Sequence, residues 1–150
     1  MSAYIQREGD TPDVIAELCC NLDDMTPEAL GFALETLLEA GALDVFTTAI
    51  GMKKSRPGVM LTVLCRLEDR ERMARLIFAH TTTIGIRETQ CSRYTLSRTQ
   101  DQVQTEYGPV RVKRVEGWGT SRQKAEYDDL ARIAREQGMT LDQARALLGN

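Results

Sequence analysis

Aromatic side chains are scarce in this 150-residue chain: three Phe, four Tyr and one Trp, 5% of the residues. Sheets that read single-stranded RNA stack bases on such rings, so the scarcity argues against that class. Positive charge is also in short supply, with 19 Lys and Arg against 22 Asp and Glu and a net charge of −3. Nucleic-acid binding without sequence preference draws its affinity from phosphate neutralisation. The acidic balance argues against it, while leaving room for a local cationic pocket. Long apolar runs are missing as well. The longest, Val59–Cys65, contains Thr62 and falls far short of the roughly 20 residues a membrane helix needs. The polar start of the chain does not read as a secretory leader. Four cysteines, Cys19, Cys20, Cys65 and Cys91, include no Cys-x-x-Cys pair and read as reduced thiols of a soluble cytoplasmic domain. No P-loop, GxGxxG motif, Ser-His-Asp set or Cys-His set is present.

What is there is ordered alternation. Val14, Ala16, Leu18, Cys20 and Leu22 fall on one face of a strand, with Glu17, Asn21 and Asp23 on the other. Thr26 then offers an N-cap and Pro27 a first helical residue. Leu30, Ala33, Leu34, Leu37 and Leu38 give the apolar stripe, and Gly41 ends the helix. Strands are expected over 43–52 and 58–67, a second helix over 68–80 with Met73, Leu76 and Ile77 buried, and a long strand over 84–98. The order βαββαβ is the ferredoxin-like pattern, an α+β fold with an antiparallel sheet and helices on one face. A hairpin of 103–107 and 110–116, joined at Gly108-Pro109, is expected to extend that sheet. A break at 117–121, a third helix over 122–137 and a last one capped by Thr140 would follow, with Gln143 completing a capping box. The expected organisation is a polar tail at 1–12, a core with its hairpin at 13–116, and a helical extension at 117–150.

Three clusters could carry chemistry. Asp23-Asp24, where the first strand gives way to the first helix, suits Mg²⁺ or Mn²⁺, since hard cations take oxygen ligands. Spacing alone favours ordinary loop and helix-entry acids. Lys53-Lys54-Ser55-Arg56-Pro57-Gly58 concentrates three cations on a tight connection, a phosphate site by charge or a solvated hairpin tip. Thr81-Thr82-Thr83-Ile84-Gly85-Ile86-Arg87 offers hydroxyls and a guanidinium to phosphate or ribose oxygens, or simply a strand start rich in β-branched residues. His80 reads more simply as a cation at a helix C-terminus. Cys19 and Cys20 point to opposite strand faces and cannot share a metal.

Taken in order, these strings resemble one family. Asn21-Leu22-Asp23-Asp24-Met25-Thr26, Met52–Gly58, Thr81–Arg87, Tyr107-Gly108-Pro109-Val110-Arg111-Val112-Lys113 and Glu126-Tyr127-Asp128-Asp129 are similar to the C-terminal region of the LarC nickel-insertion proteins. The resemblance spans about residues 14–147. It departs at His80, where an acidic residue is common in the family, and at Ala125, where proline is usual. The resemblance implies a CTP-dependent nickel chelatase, or cyclometallase. Ni²⁺ enters a dithiolated pyridinium mononucleotide, and CTP is split to CMP and pyrophosphate with Mn²⁺ or Mg²⁺ present. It implies nucleotide contacts from Lys53, Lys54, Arg56, Thr82, Thr83 and Arg87, a weaker one from Lys113, and a cation held by Asp23 and Asp24. It also implies dependence on the family's N-terminal region, so that this chain alone is incomplete, and a homo-oligomer. Met60, Thr62 and Leu64, with Phe46 and Ile50, suggest a second sheet face apolar enough to be buried by such assembly. The competing class is a ferredoxin-like regulatory or oligomerisation module without catalysis.

Overall fold

The computed structural model describes residues 12–149, so the expected tail at 1–12 lies outside the described residues apart from Pro12. Two compact units divide the chain between Arg93 and Tyr94. The first contains β1 (Asp13–Leu22), α1 (Pro27–Glu39), β2 (Asp44–Met52), β3 (Arg56–Arg66), α2 (Arg70–His80) and β4 (Arg87–Arg93). A short 3₁₀ turn, Lys53–Ser55, joins β2 to β3. The sheet order is β2-β3-β1-β4, every neighbour antiparallel. This is the expected ferredoxin-like arrangement: α1 carries the chain past one vacant position, which β3 then fills.

The local reasons are those the residues supply. Thr26 Oγ1 accepts the Ala29 N–H at 3.2 Å to cap α1, and Pro27 follows it. Gly41, at φ +95°, takes the left-handed conformation that ends the helix. Ala16, Leu18, Cys20 and Leu22 of β1 bury against Leu37 of α1 and Met73 and Ile77 of α2, with Leu61, Val63 and Cys65 of β3 beside them. Burying each large side chain contributes about 1.5–3 kcal/mol. Val14 keeps the expected face by register but, near the start of the strand, is 46% exposed. The opposite sheet face carries Glu17, Cys19 and Asn21, register partners of Leu64, Thr62 and Met60. Phe46 there is 41% exposed, whereas Thr62 is buried. Gly58 is needed for the close approach of β1 and β3. A Cβ at that position would lie 2.9 Å from the Leu22 carbonyl oxygen and collide with Met52 Sδ.

The second unit corrects the expected extension of the first sheet. β5 (Ser97–Thr105), β6 (Gly108–Gly117) and β7 (Thr120–Ala125) form their own three-stranded antiparallel sheet. The long strand expected over 84–98 is two strands, because β4 pairs with β1 only as far as Asp13, where β1 begins. The break expected at 117–121 is a tight hairpin turn, with Gly117, Trp118 and Gly119 all at positive φ. Residues 122–125 belong to β7, and α3 begins only at Tyr127 and ends at Gln137. Gly138 closes α3 in the left-handed region, and Thr140 caps α4 (Leu141–Ala146) through the expected capping box. Val110, Val112, Leu130, Ile133 and Ala144 make the core of this unit. Arg111 of β6 clamps Asp129 of α3: its Nε and Nη2 and its backbone N–H reach the carboxylate at 2.9, 2.9 and 2.8 Å. These donors hold the Asp129 carboxyl down at about 2. Among the described residues no helix is long and apolar enough to cross a membrane.

Two outcomes follow for stability. Gly58→Ala should destabilise the chain by about 1–3 kcal/mol, the usual cost of overpacking, read as a lower denaturant midpoint; an unchanged midpoint would remove the close-approach argument. The folded Asp129 pKa lies below its ordinary value of 3.8. Its stabilisation is therefore fully present above that value and is lost as pH falls through it towards about 2. Asp129→Asn should lower the melting temperature at neutral pH, and the gap to the parent chain should narrow as pH falls below about 5 and close only towards about 2. A gap independent of pH would show that the clamp acts by shape alone.

Candidate functional site at the carboxyl end of the first strand

The sheet order turns three distant sequence strings into neighbours. β1 ends at Leu22 beside the start of β3, since Leu22 and Val59 are register partners. Asp23 and Asp24 stand just beyond this point, before α1. Arg56 opens β3, and its Nη1 donates to Asp23 Oδ2 at 3.3 Å. Thr82, in the connection from α2 to β4, donates through Oγ1 to Asp24 Oδ1. Arg87 begins β4, with Nη2 at 2.9 Å from Asn21 Oδ1 and 3.6 Å from Met60 Sδ. Three separate strings thus meet around the end of β1, with Arg56 on Asp23, Thr82 on Asp24 and Arg87 on Asn21.

Backbone strain helps to aim them. Lys54 and Ser55 sit consecutively in the left-handed region, at φ 59° and 57°. Neither is glycine, and such placements cost on the order of 1–3 kcal/mol each. They reverse the chain between β2 and β3 within three residues, which brings Arg56 opposite Met52 and within reach of Asp23. The Arg56 and Asp23 side chains are 57% and 25% exposed. A pair this open contributes about 0–1 kcal/mol to stability, too little to account for the strain by itself. Lys53 and Lys54 are exposed, and among the described residues neither forms an ion pair.

The threonine string divides its labour. Thr81 Oγ1 donates to the Ile77 carbonyl at 2.7 Å and closes α2. Thr83 Oγ1 donates to the Gly85 carbonyl at 2.8 Å, so that its hydroxyl stiffens the loop from within. Thr82 alone of the three turns to Asp24. Lys113, expected at the nucleotide, belongs to the second unit, where its Nζ meets Glu126 Oε1 at 2.7 Å. That unit has a hollow of about 1040 Å³, lined in part by Arg98, Lys113, Lys124, Tyr127 and Arg145. The sequence reading gave no contact role to Met60 and left His80 as a helix-end cation. The imidazole of His80 meets Phe32 edge to face, with ring centroids 5.8 Å apart.

Cys20 and Cys65 behave as core groups. Burial pushes the Cys19, Cys20 and Cys65 thiols up from their ordinary range, which keeps them protonated and poor as metal ligands. Cys19 Sγ lies 3.6 Å from Thr62 Oγ1 on the open face, while Cys20 is buried on the helix side. Among the described residues no three of His, Cys, Asp and Glu gather in a way that could hold a metal ion. Asp23 and Asp24 by themselves could supply only part of a coordination shell, and hard cations commonly complete such a shell with phosphate oxygens.

Known proteins share this fold. A solved structure of LarC2 in its apo form, the C-terminal domain of a cyclometallase involved in the synthesis of the NPN cofactor of lactate racemase, superposes with a TM-score of 0.74. It is 38% identical, over 92% of this chain and 98% of that one. A protein of Methanopyrus kandleri superposes with a TM-score of 0.73 at 27% identity, over 93% of this chain and 88% of its own. The pyridinium-3,5-bisthiocarboxylic acid mononucleotide nickel insertion protein of Acetivibrio thermocellus is 45% identical over 124 residues, 83% of this chain but 30% of that relative. The chain thus spans about a third of the length of the longer protein it matches. Residues 2–145 match the nickel insertion protein family from end to end of the segments that build the site, and the chain belongs to that family.

Proposed function

We propose that this chain is the nucleotide-handling C-terminal part of a nickel-inserting cyclometallase, working with the N-terminal region of a longer protein. The observation that carries the reading is the convergence of Asp23, Asp24, Arg56, Thr82 and Arg87 at the carboxyl end of β1. A triphosphate needs several cations and a metal clamp. Arg56, Arg87, Lys53 and Lys54 offer the charge, and Thr82 offers a hydroxyl. Without nucleotide, Arg56 and Asp23 neutralise each other. Arriving phosphates take Arg56, and the carboxylates of Asp23 and Asp24 are then available for Mn²⁺ or Mg²⁺ shared with the triphosphate. A cation held by Asp23 and Asp24 would neutralise charge on the phosphates while CTP is split to CMP and pyrophosphate. The protein groups bind and orient the chain of phosphates.

Ni²⁺ is the cargo, and the dithiolated pyridinium mononucleotide is its acceptor. Nickel is served by imidazole and thiolate donors. The scattered cysteines and single histidine of this chain support placing its ligands in the N-terminal region of the longer relatives. Assembly into a symmetric homo-oligomer is part of the same reading, supported by exposed Phe46 beside Ile50, Met60 and Leu64 on the open sheet face.

Calorimetric titration with CTP, ATP, GTP and UTP, each with and without Mn²⁺, should give metal-dependent binding that favours CTP. Lys54→Ala and Arg56→Ala should each weaken it by about 1.5–3 kcal/mol while stability changes by no more than about 0.5 kcal/mol. Failure to bind CTP at millimolar Mn²⁺ would sink the reading for this chain. Mixed with the dithiolated mononucleotide, Ni²⁺, Mn²⁺ and CTP, the chain alone should not yield product that activates apo lactate racemase. Activation equal to that by the longer protein would mean that the nickel site has been misplaced.

A further inference from the structure

A groove of about 490 Å³ opens beside the Asp24–Thr82 contact, between the start of α1 and the end of α2. Its lining includes Asp24, Thr26, Ala29, Phe32, His80 and Thr82. The volume lies within the range of about 300–1,000 Å³ typical of small-ligand sites. Phe32 leans edge-on to His80 yet remains 61% exposed. Most of its ring surface therefore faces water in the absence of a ligand, although it stands within a concave site.

Asp24 and Thr82 line the groove and also belong to the proposed phosphate and cation cluster, so one ligand could engage both. The two ends differ in chemistry. One offers Arg56 and two carboxylates to a charged, metal-bound polyphosphate. The other offers an aromatic ring, the methyl of Ala29 and hydroxyls at its rim. Thr26 Oγ1 accepts from the Ala29 N–H at 3.2 Å, and its own O–H remains a donor for a polar ring edge. A molecule with phosphates at one end and a flat heteroaromatic ring at the other fits both chemistries.

We propose that Phe32, backed by His80, is the stacking wall for the nucleobase of the bound nucleoside triphosphate. Phe32 is a specificity-determining residue of the site, and His80 acts by fixing the tilt of that ring. The inference rests on the proposed function and adds to it the end of the site that recognises the base. Every base has a π-face, so Phe32 governs affinity for base-bearing ligands over bare polyphosphate, while the choice among bases belongs to the polar rim.

The test uses the whole chain, Mn²⁺, and two probes, CTP and inorganic tripolyphosphate. Because Phe32 is largely exposed, Phe32→Ala should leave the melting temperature unchanged. It should weaken CTP by about 5- to 100-fold, the range that loss of base–aromatic stacking spans, and leave tripolyphosphate affinity within about twofold. Phe32→Tyr should restore CTP affinity. Equal weakening of both probes would mean that Phe32 shapes the phosphate end and would overturn the inference. So would CTP binding that ignores Phe32→Ala. A parent chain that binds neither probe would instead overturn the functional reading, and this inference with it.

Discussion

The antiparallel seating of β3 between β1 and β2 is the constraint on which the first unit depends. It buries Ala16, Leu18, Cys20 and Leu22 of β1 against both helices. It also sets Leu22 beside Val59, so that the first residues past β1 and the first residues of β3 share one end of the sheet. Gly58 makes that contact close enough to matter, since a side chain there would meet the Leu22 carbonyl. Asp23 and Arg56 are neighbours for this reason, and not through any strong attraction of their own. An ion pair this open is too weak to position a backbone; here the backbone positions the pair.

The same logic separates a stabilising charge from the looser ones at the candidate site. Asp129 in the second unit accepts three hydrogen bonds from Arg111 and is 16% exposed in its side chain. It joins α3 to β6. The charges at the end of β1 are open and arranged loosely, Asp24 with a hydroxyl and Arg87 with an amide and a thioether. Partners of that kind can be exchanged for phosphate oxygens without leaving a buried charge unpaired. Lys53 and Lys54 add positive charge beside them, on a turn whose backbone is strained but brief.

Much of the first unit was legible in the sequence because its signals are local. Thr26-Pro27, Gly41, the alternation of β1 and the spacing of Leu30 to Leu38 each name their element without tertiary information. The site was legible only as three separate strings. Their convergence follows from the βαββαβ order, which alone joins residue 23 to residue 56 and residue 24 to residue 82. The second unit hid its sheet. β7, Thr-Ser-Arg-Gln-Lys-Ala, is an edge strand with almost no apolar alternation, so its identity comes from pairing with β6 across the Gly117–Gly119 turn. Composition could not distinguish it from the first turn of a helix. Likewise Ile84–Arg98 reads as one strand until β1 runs out of partners at Asp13. Phe32 and His80, 48 positions apart in the chain, carry no shared sequence signal at all.

The link from Thr82 to Asp24 spans 58 residues, and this separation bears on how the chain acquires its site. Long-range contacts form late, since a large loop must close before they reward it. During synthesis β1, α1 and β2 leave the ribosome with Asp23 and Asp24 exposed and unaccompanied. Only after α2 is complete and β4 has added to the edge of β1 do Thr82 and Arg87 arrive. In reverse, detachment of the edge strand β4 disperses the site while the β2-β3-β1 ladder stands. A ligand gripping both ends of that 58-residue loop would fasten the edge strand in place.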